Sequence, residues 1–547
     1  MRFTATLLAC SALFAQLGHA HDVRDQQARQ KRHHDAAASA AAAKIEKRYP
    51  PGRETFIPTT TPAYALSTSS ATPAATKTSS TSSGSQTTPP PGQYTTGTTR
   101  AHVAATTTTP TTCAPPYIAT SMITGTGTLP KPTTFVTKVY RSNQLTLNGS
   151  PFTIVGPNIF WLCQGQDYGP LGSYTDKSMV REALAIAVAM GANTASFPFP
   201  SPSTDDLLPD LAREQIRALS CGISTGTYNN LNPYNLEPTF NNFDSAAWDI
   251  RDYVLYAARE YGLRVILTLT DNYSRAQHGG KYDFLNWRKA SLANNGADFY
   301  TNRAVMSAYN TYITNFITHV NSYTGVAYYN DPTIVAWETG NELGGAVALP
   351  ASLSPLETPL TASTTGYINA EVWPPYSWTK FIVQTIRKYD TKHLIIDGTN
   401  GFWNYTTGAT SAGLTLSGVD IVTDHGYPRN TGIINKEFSL AKPALKNFLI
   451  GEFDWTTTYS STDLATYLNL IESWKPLVGD LAWNVQGHDP TCCRFISHND
   501  GYSIYYPNAN SAADQANILL LAQHWYRMTN RAPPAALVGV ACPQPVF

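Results

Sequence analysis

Two glutamates stand where apolar strands run out. Residues 331–345 read DPTIVAWETGNELGG. Thr333 to Trp337 is apolar and rich in β-branched residues, the mark of a strand buried on both faces. Glu338, Asn341 and Glu342 follow it. A second apolar run, Phe448 to Ile450, ends in Gly451-Glu452-Phe453-Asp454-Trp455. Buried strands that deliver polar groups at their C-terminal ends are how a parallel barrel presents reactive side chains. Two carboxylates across a cleft framed by aromatics suit cleavage of a glycosidic bond. One serves as general acid. The other is the nucleophile or the base for a water, depending on their separation. This chemistry needs no metal or cofactor. His425 and Tyr427 are two apart, so both point to the same side of an extended chain. There they would orient the nucleophile or hold its charge. Trp483, at the end of a later strand, is placed to stack on a sugar ring. Glu338 is a third carboxylate, nearer the strand body; it reads as structural, with a supporting role in the cleft as the alternative.

Strands and helices alternate around these groups. The expected strands are Thr153 to Leu162, one within Ala192 to Leu219, Leu263 to Thr270, Thr333 to Trp337, His393 to Asp397, Val419 to Thr423, Asn447 to Ile450, and Asp480 to Val485. Helices are expected over Lys177–Met190, Ala246–Tyr261, Arg303–Tyr323, Trp378–Tyr389, Asp463–Trp474 and Ser511–Met528. In the first two, apolar residues recur at helical spacing, and Ser511-x-x-Asp514 is a capping pattern for the last. Eight strands alternating with helices predict a (β/α)8 TIM barrel over residues 132–547.

The chain has 547 residues, zero formal net charge and 14% charged residues. Nothing in that balance suggests nucleic acid or an anionic surface as partner. A monomer acting on a neutral polysaccharide is expected, with no membrane partner. Residues 1–20 have one basic residue, an apolar core and a Gly18-His19-Ala20 end, the pattern of a signal peptide. Lys47-Arg48 would close a pro-segment over 21–48. Residues 49–131 are dominated by Thr, Ser, Pro and Ala. Such a segment cannot bury enough apolar surface to fold, and reads as a disordered, O-glycosylated linker. The location expected is extracellular. Of seven Cys, Cys10 leaves with the leader. Cys113, Cys163, Cys221, Cys492, Cys493 and Cys542 are expected to pair as disulfides, with several pairings open. Asn148-Gly-Ser and Asn404-Tyr-Thr are expected to accept N-glycans. Asn272-Tyr-Ser also matches, but Asn272 ends the third strand and is expected to face the cleft bare.

The stretches GPNIFWL, TLTDN followed by HGGK, FYTN, DPTIVAWETGNEL, DHGYP, GEFDW, and GHD with HNDGY resemble glycoside hydrolase family 5. Within it they resemble fungal secreted β-mannanase-type members. The resemblance covers about Phe152 to Met528 and implies a retaining mechanism in a (β/α)8 barrel. It implies that Glu342 is the acid/base, that Asn341 holds the sugar 2-hydroxyl, and that Glu452 is the nucleophile. His425, Tyr427 and Trp483 fall on supporting positions. The arginine that the family carries at the end of strand two matches Arg217.

The sequence departs from that pattern at 195–215 and 345–365, two runs of equal length without strand or helix periodicity. Removing them joins GANT to IRALSCGIS and NELG to GYINAE. We expect them to be translated introns or similar gene-model errors, with QIRAL forming strand two. The leading expectation is endo-β-1,4-mannanase activity. The alternatives are another β-glycanase, such as an endo-β-1,4-glucanase, and a non-catalytic carbohydrate-binding or cell-wall protein on a degenerate barrel.

Overall fold

A computed structural model describes residues 131–165, 173–191, 215–223, 225, 234–273, 279–344, 373–404, 407–457, 460, 462–492, 494–498, 500–507 and 510–542. Both anomalous runs, apart from Gln215, lie outside these residues. So do the leader, the pro-segment and nearly all of the Ser/Thr/Pro-rich stretch.

Eight parallel strands form the centre. In chain order they are Val155–Pro157, Gln215–Arg217, Arg264–Thr268, Ile334–Glu338, Leu394–Asp397, Ile421–Gly426, Asn447–Phe453 and Val478–Ala482. Each pairs in parallel with its sequence neighbours, and the first pairs with the eighth. A parallel bridge between Asn158 and Arg217 joins the first to the second. The sheet therefore closes into the expected barrel, which leaves no unpaired edge.

Helices cover the outside. Lys177–Met190, Ser245–Glu260, Arg303–Thr318, Tyr376–Arg387, Thr431–Ala441, Leu464–Glu472 and Ala512–Met528 alternate with the strands. Most start at a side chain that satisfies an otherwise orphan N–H. Asp176, Asp244, Asn302, Asn430, Asp463 and Ser511 each accept from a backbone amide two or three residues on. Lys177–Met190 is buried nearly all round because helices Ser245–Glu260 and Ala512–Met528 flank it. Among the described residues, no helix is long and apolar enough to cross a membrane.

The structure corrects several boundaries. The first strand is only Val155–Pro157; Ile159 to Leu162 leave the sheet yet remain buried in the outer core. The helix starting at Arg303 stops at Thr318, because Asn321 Oδ1 accepts the Tyr323 and Thr324 amides and turns the chain. Between strands five and six the helical segment is only Ala412–Thr415. A three-stranded antiparallel sheet, Thr137–Lys138, Leu145–Leu147 and Ser150–Phe152, precedes the barrel and was not expected. Its Leu145, Leu147 and Phe152, with the adjacent Val136, share one cluster with the barrel-interior residues Ile154, Ile266, Leu394, Ile396, Ile421, Leu449 and Leu481. That contact seals the barrel's N-terminal mouth, so chemistry is confined to the other end.

Two disulfides are present among the described residues, Cys163–Cys221 and Cys492–Cys542. Cys113 and Cys493 lie outside them. Asn148 is exposed at a turn, as its sequon requires. Asn404 is 5% exposed and its Oδ1 accepts the Thr407 amide, so the folded chain does not present that second sequon.

Candidate active site

The C-terminal strand ends converge on Arg217, at the end of strand two. Its guanidinium is wholly buried and its donors are directed to groups at three strand ends. Nε donates to Glu338 Oε2 at 2.8 Å, Nη1 to Glu452 Oε1 at 2.6 Å, and Nη2 to Asn341 Oδ1 at 2.7 Å. Nη1 also reaches Asn158 Oδ1 at 3.3 Å. A rigid planar fork suits this arrangement; a lysine offers no such geometry. Burial works against the guanidinium charge, but Glu338 and Glu452 more than reverse that and hold it raised. Glu338 is thus no solvated charge. It accepts from Arg217 and from Thr268 Oγ1, which makes it a support for the arginine.

Glu452 reaches the cleft through a local irregularity. Strict alternation would put Glu452 on the side of Phe448 and Ile450, which pack into the outer core. Instead Asp424 pairs with Ile450 and His425 with Glu452, so Gly451 is the extra residue of a bulge. The bulge rotates Glu452 inward. A Cβ at position 451 would lie 2.6 Å from Thr423 Oγ1 and 3.1 Å from His425 Nε2, which leaves room only for glycine. Asn158 Nδ2 donates to the Gly451 carbonyl at 3.0 Å and steadies the bulge.

Glu342 faces Glu452 across His425. His425 Nδ1 lies 2.7 Å from Glu342 Oε1 and 3.6 Å from Glu452 Oε2. One carboxylate oxygen from each glutamate and a ring nitrogen of His425 all lie within 4.8 Å of one another. Tyr427 Oη donates to Glu452 Oε2 at 3.3 Å, and Tyr273 hydrogen-bonds Glu342. The three titratable groups are close enough to influence one another's charge. Burial raises the Glu342 carboxyl, but the bond and charge of His425, with Tyr273 and Arg217, bring it down to about 2. Burial pushes Glu452 up, against His425 and Arg217. Burial lowers His425, and the two glutamates more than compensate, leaving it raised. The two carboxylates thus favour the charged imidazole, and the imidazole in turn favours the ionised Glu342. By spacing alone the trio could also take a cation, but the Arg217 guanidinium on Glu452 would repel it. Among the described residues, Glu182, His488 and Cys542 also cluster, but Cys542 is already bonded to Cys492.

The remaining expected residues take these places. Asn341 sits between Arg217 and Asp271, donating through Nδ2 to Asp271 Oδ1 at 3.1 Å. Trp483 follows strand eight and is half-buried. It stacks on Phe160 at 5.3 Å and donates through Nε1 to Asp500 Oδ2 at 2.7 Å. Asn272 is beside the site, with Oδ1 accepting from Lys281 Nζ and the Gly344 amide. Asn158, Asp271, Tyr273 and Asp500 were not singled out in the sequence, although each lies within or beside a stretch that carried the resemblance.

Comparisons with known proteins bear on the fold and on the family the chain resembles. Residues 206–460 match the family model described as GH family 5 beta-mannosidase-like. Mannan endo-1,4-beta-mannosidase 1 of Oryza sativa subsp. japonica is 27% identical over 317 residues, 57% of this chain and 60% of the relative. Mannan endo-1,4-beta-mannosidase 5 of Solanum lycopersicum is 28% identical over 319 residues, 58% of each. The chain thus spans about three-fifths of the length of these curated relatives. The endo-beta-1,4-mannanase from Thermotoga petrophila superposes with a TM-score of 0.52 at 20% identity, over 70% of this chain and 78% of that one. An endo-1,4-beta-mannanase from Rhizomucor miehei gives 0.51 at 20%, over 73% of this chain and 100% of the other. Over residues 206–460 the chain is thus similar to glycoside hydrolase family 5 domains of the beta-mannosidase-like kind.

Proposed function

We propose that this chain is a secreted, retaining endo-β-1,4-mannanase. The observation that carries the reading is the facing pair Glu342 and Glu452, within 4.8 Å through one oxygen each. Carboxyls of retaining enzymes stand about 5–5.5 Å apart, whereas inverting pairs leave about 6.5–9.5 Å for a water.

The roles follow from the contacts. Glu452 receives Arg217 Nη1 and Tyr427 Oη, two donors that favour the carboxylate and aim it. It attacks the anomeric carbon while the glycosidic C–O bond breaks. Burial keeps the Tyr427 phenol well above its ordinary range, and Glu452 adds to this, so it remains a donor throughout. Glu342 protonates the departing oxygen. His425 Nδ1, at 2.7 Å, holds the proton that Glu342 needs. Once Glu452 is esterified its charge is gone, and Glu342 takes a proton from the water that releases the product. Asn341, held between Arg217 and Asp271, is placed for the 2-hydroxyl, and Trp483 for the sugar face. Mannan as substrate is supported by the names of the curated relatives and by the mannanases that share the fold. Residues 1–20 and the disulfides support an extracellular location. The chain is expected to act as a monomer.

The test is Glu342→Gln and Glu452→Gln, each expected to lower turnover on mannan by ~10³-fold or more. NMR of fresh product should show the β-anomer first. A variant within about tenfold of the parent enzyme, or initial α-product, rules the mechanism out. A panel of mannan, glucomannan, cellulose and xylan separates mannanase from glucanase, and inactivity on all four would mark a binding protein.

A further inference from the structure

Lys281 is wholly buried, yet carries an amine at the rim of the site. Its Nζ donates to Asn272 Oδ1 at 2.6 Å and to the Gly344 carbonyl at 2.9 Å. Asn272 follows strand three. Gly344 is two residues beyond Glu342. One amine thus ties together the strand ends on either side of the acid/base. The Tyr282 and Tyr300 rings lie 5.3 and 5.4 Å from Nζ, at cation–π distance.

The segment it ties needs holding. Glu342 has φ of 50°, in the left-handed region that costs a non-glycine residue free energy unless its surroundings impose it. Backbone bonds hold part of the turn: Asn341 N to Thr270 O at 2.7 Å, Asn272 N to Asn341 O at 3.0 Å, and Leu343 N to Gly398 O at 2.9 Å. Past Leu343 the pins are side chains. Asn272 Oδ1 accepts the Gly344 amide at 3.2 Å, and Tyr300 Oη donates to the Gly344 carbonyl at 2.8 Å. Lys281 contacts both groups. Burial draws its ammonium down to about 7, with Asp271 opposing. A methionine would fill the same space without that cost, so packing alone does not account for the lysine.

We propose that Lys281 is a positioning residue for Glu342, clamping the turn after strand four so that the Glu342 carboxyl meets the glycosidic oxygen. The proposal rests on Glu342 being the acid/base.

The experiment compares Lys281→Met with the parent enzyme on mannan and on 2,4-dinitrophenyl β-mannobioside. The dinitrophenolate departs without a proton, so its kcat/KM reports attack by Glu452 without help from Glu342. Lys281→Met should fold, because Gly344 O keeps Tyr300 and Asn272 Oδ1 keeps the Gly344 amide. On mannan, kcat should fall ~10–100-fold, as expected for a misplaced catalytic group, with KM within about threefold. On the aryl substrate, kcat/KM should change by less than about threefold. Equal losses on both substrates, or no loss on mannan, overturn the proposal. Tyr300→Phe removes the second donor to the same carbonyl and should show the same substrate dependence more weakly. If Lys281→Met does not fold, that ratio decides. Glu342→Ala run alongside keeps the two readings apart. If it retains activity on mannan, the acid/base assignment is at fault; if it shows the leaving-group dependence and Lys281→Met does not, only the clamp is.

Discussion

Replacing Arg217 with methionine should damage both the fold and the chemistry, in separable amounts. The guanidinium is fully buried and lies between Glu338, 1% exposed, and Glu452, 6% exposed. Removing it leaves the Glu338 carboxylate with Thr268 Oγ1 and no cation. Breaking a buried ion pair from one side costs about 3–5 kcal/mol. The carbonyl oxygens of Asn341 and Asn158 also lose their donor, at about 1 kcal/mol each or less where the asparagine can turn. The total should stay nearer the ion-pair figure than the sum, since neighbours that share one partner do not add. Urea unfolding of Arg217→Met should therefore give an unchanged m-value and a loss of roughly 3–5 kcal/mol. Adding Glu338→Gln removes the stranded charge and should recover at least ~1 kcal/mol, a coupling that a double-mutant cycle measures directly. Activity should not return in the double variant, because Glu452 still lacks the donor at 2.6 Å; kcat should remain ~10²–10³-fold low. If Arg217→Met costs under ~1 kcal/mol, or Glu338→Gln adds to the loss, then Glu338 is not a charge held by Arg217.

Two further outcomes follow from groups around the site. Burial pushes the Glu437 carboxyl well above its ordinary range, with Asp424 adding to it. A folded value above the unfolded one means stability that is full at acid pH and lost as pH rises through the folded value. Glu437→Gln keeps the shape and cannot ionise, so it should melt higher than the parent at pH 8 and level with it near pH 4. An equal difference at both, by calorimetry, contradicts the raised Glu437 carboxyl. Asp500 Oδ2 accepts from Trp483 Nε1 at 2.7 Å and Asn484 Nδ2 at 3.0 Å. Bonds to a charged acceptor are worth about 1.5–3 kcal/mol, so Asp500→Ala should raise KM for mannan ~10-fold or more, with kcat nearly kept. A fall confined to kcat would show that Trp483 is not held for binding.

What could be read from sequence was local. Apolar β-branched runs marked most of the strands, because a strand buried on both faces has no polar residue to spare. Asp176, Asp244, Asn302 and Ser511 sit where helices begin because only a short polar side chain answers the first free amides. Both glutamates could be located because each stands within a few residues of the end of such a run. Their partners could not. Arg217 and Glu452 are 235 residues apart, and only barrel closure through Asn158 and Arg217 brings them together. Glu338 reads identically in sequence whether it is a spare charge or the anchor of a buried guanidinium. Lys281, in HGGK, gives no sign of burial, since lysine is almost always solvated. The N-terminal sheet carries runs too short to show a period, and it is stable only because the barrel mouth offers it an apolar surface. The bulge at Gly451 shows the division most clearly. Alternation within strand seven aims Glu452 at the helices; the register against strand six turns it into the cleft. Side-chain direction along a strand follows from the residue order alone only while pairing is regular, and pairing is a property of two strands at once.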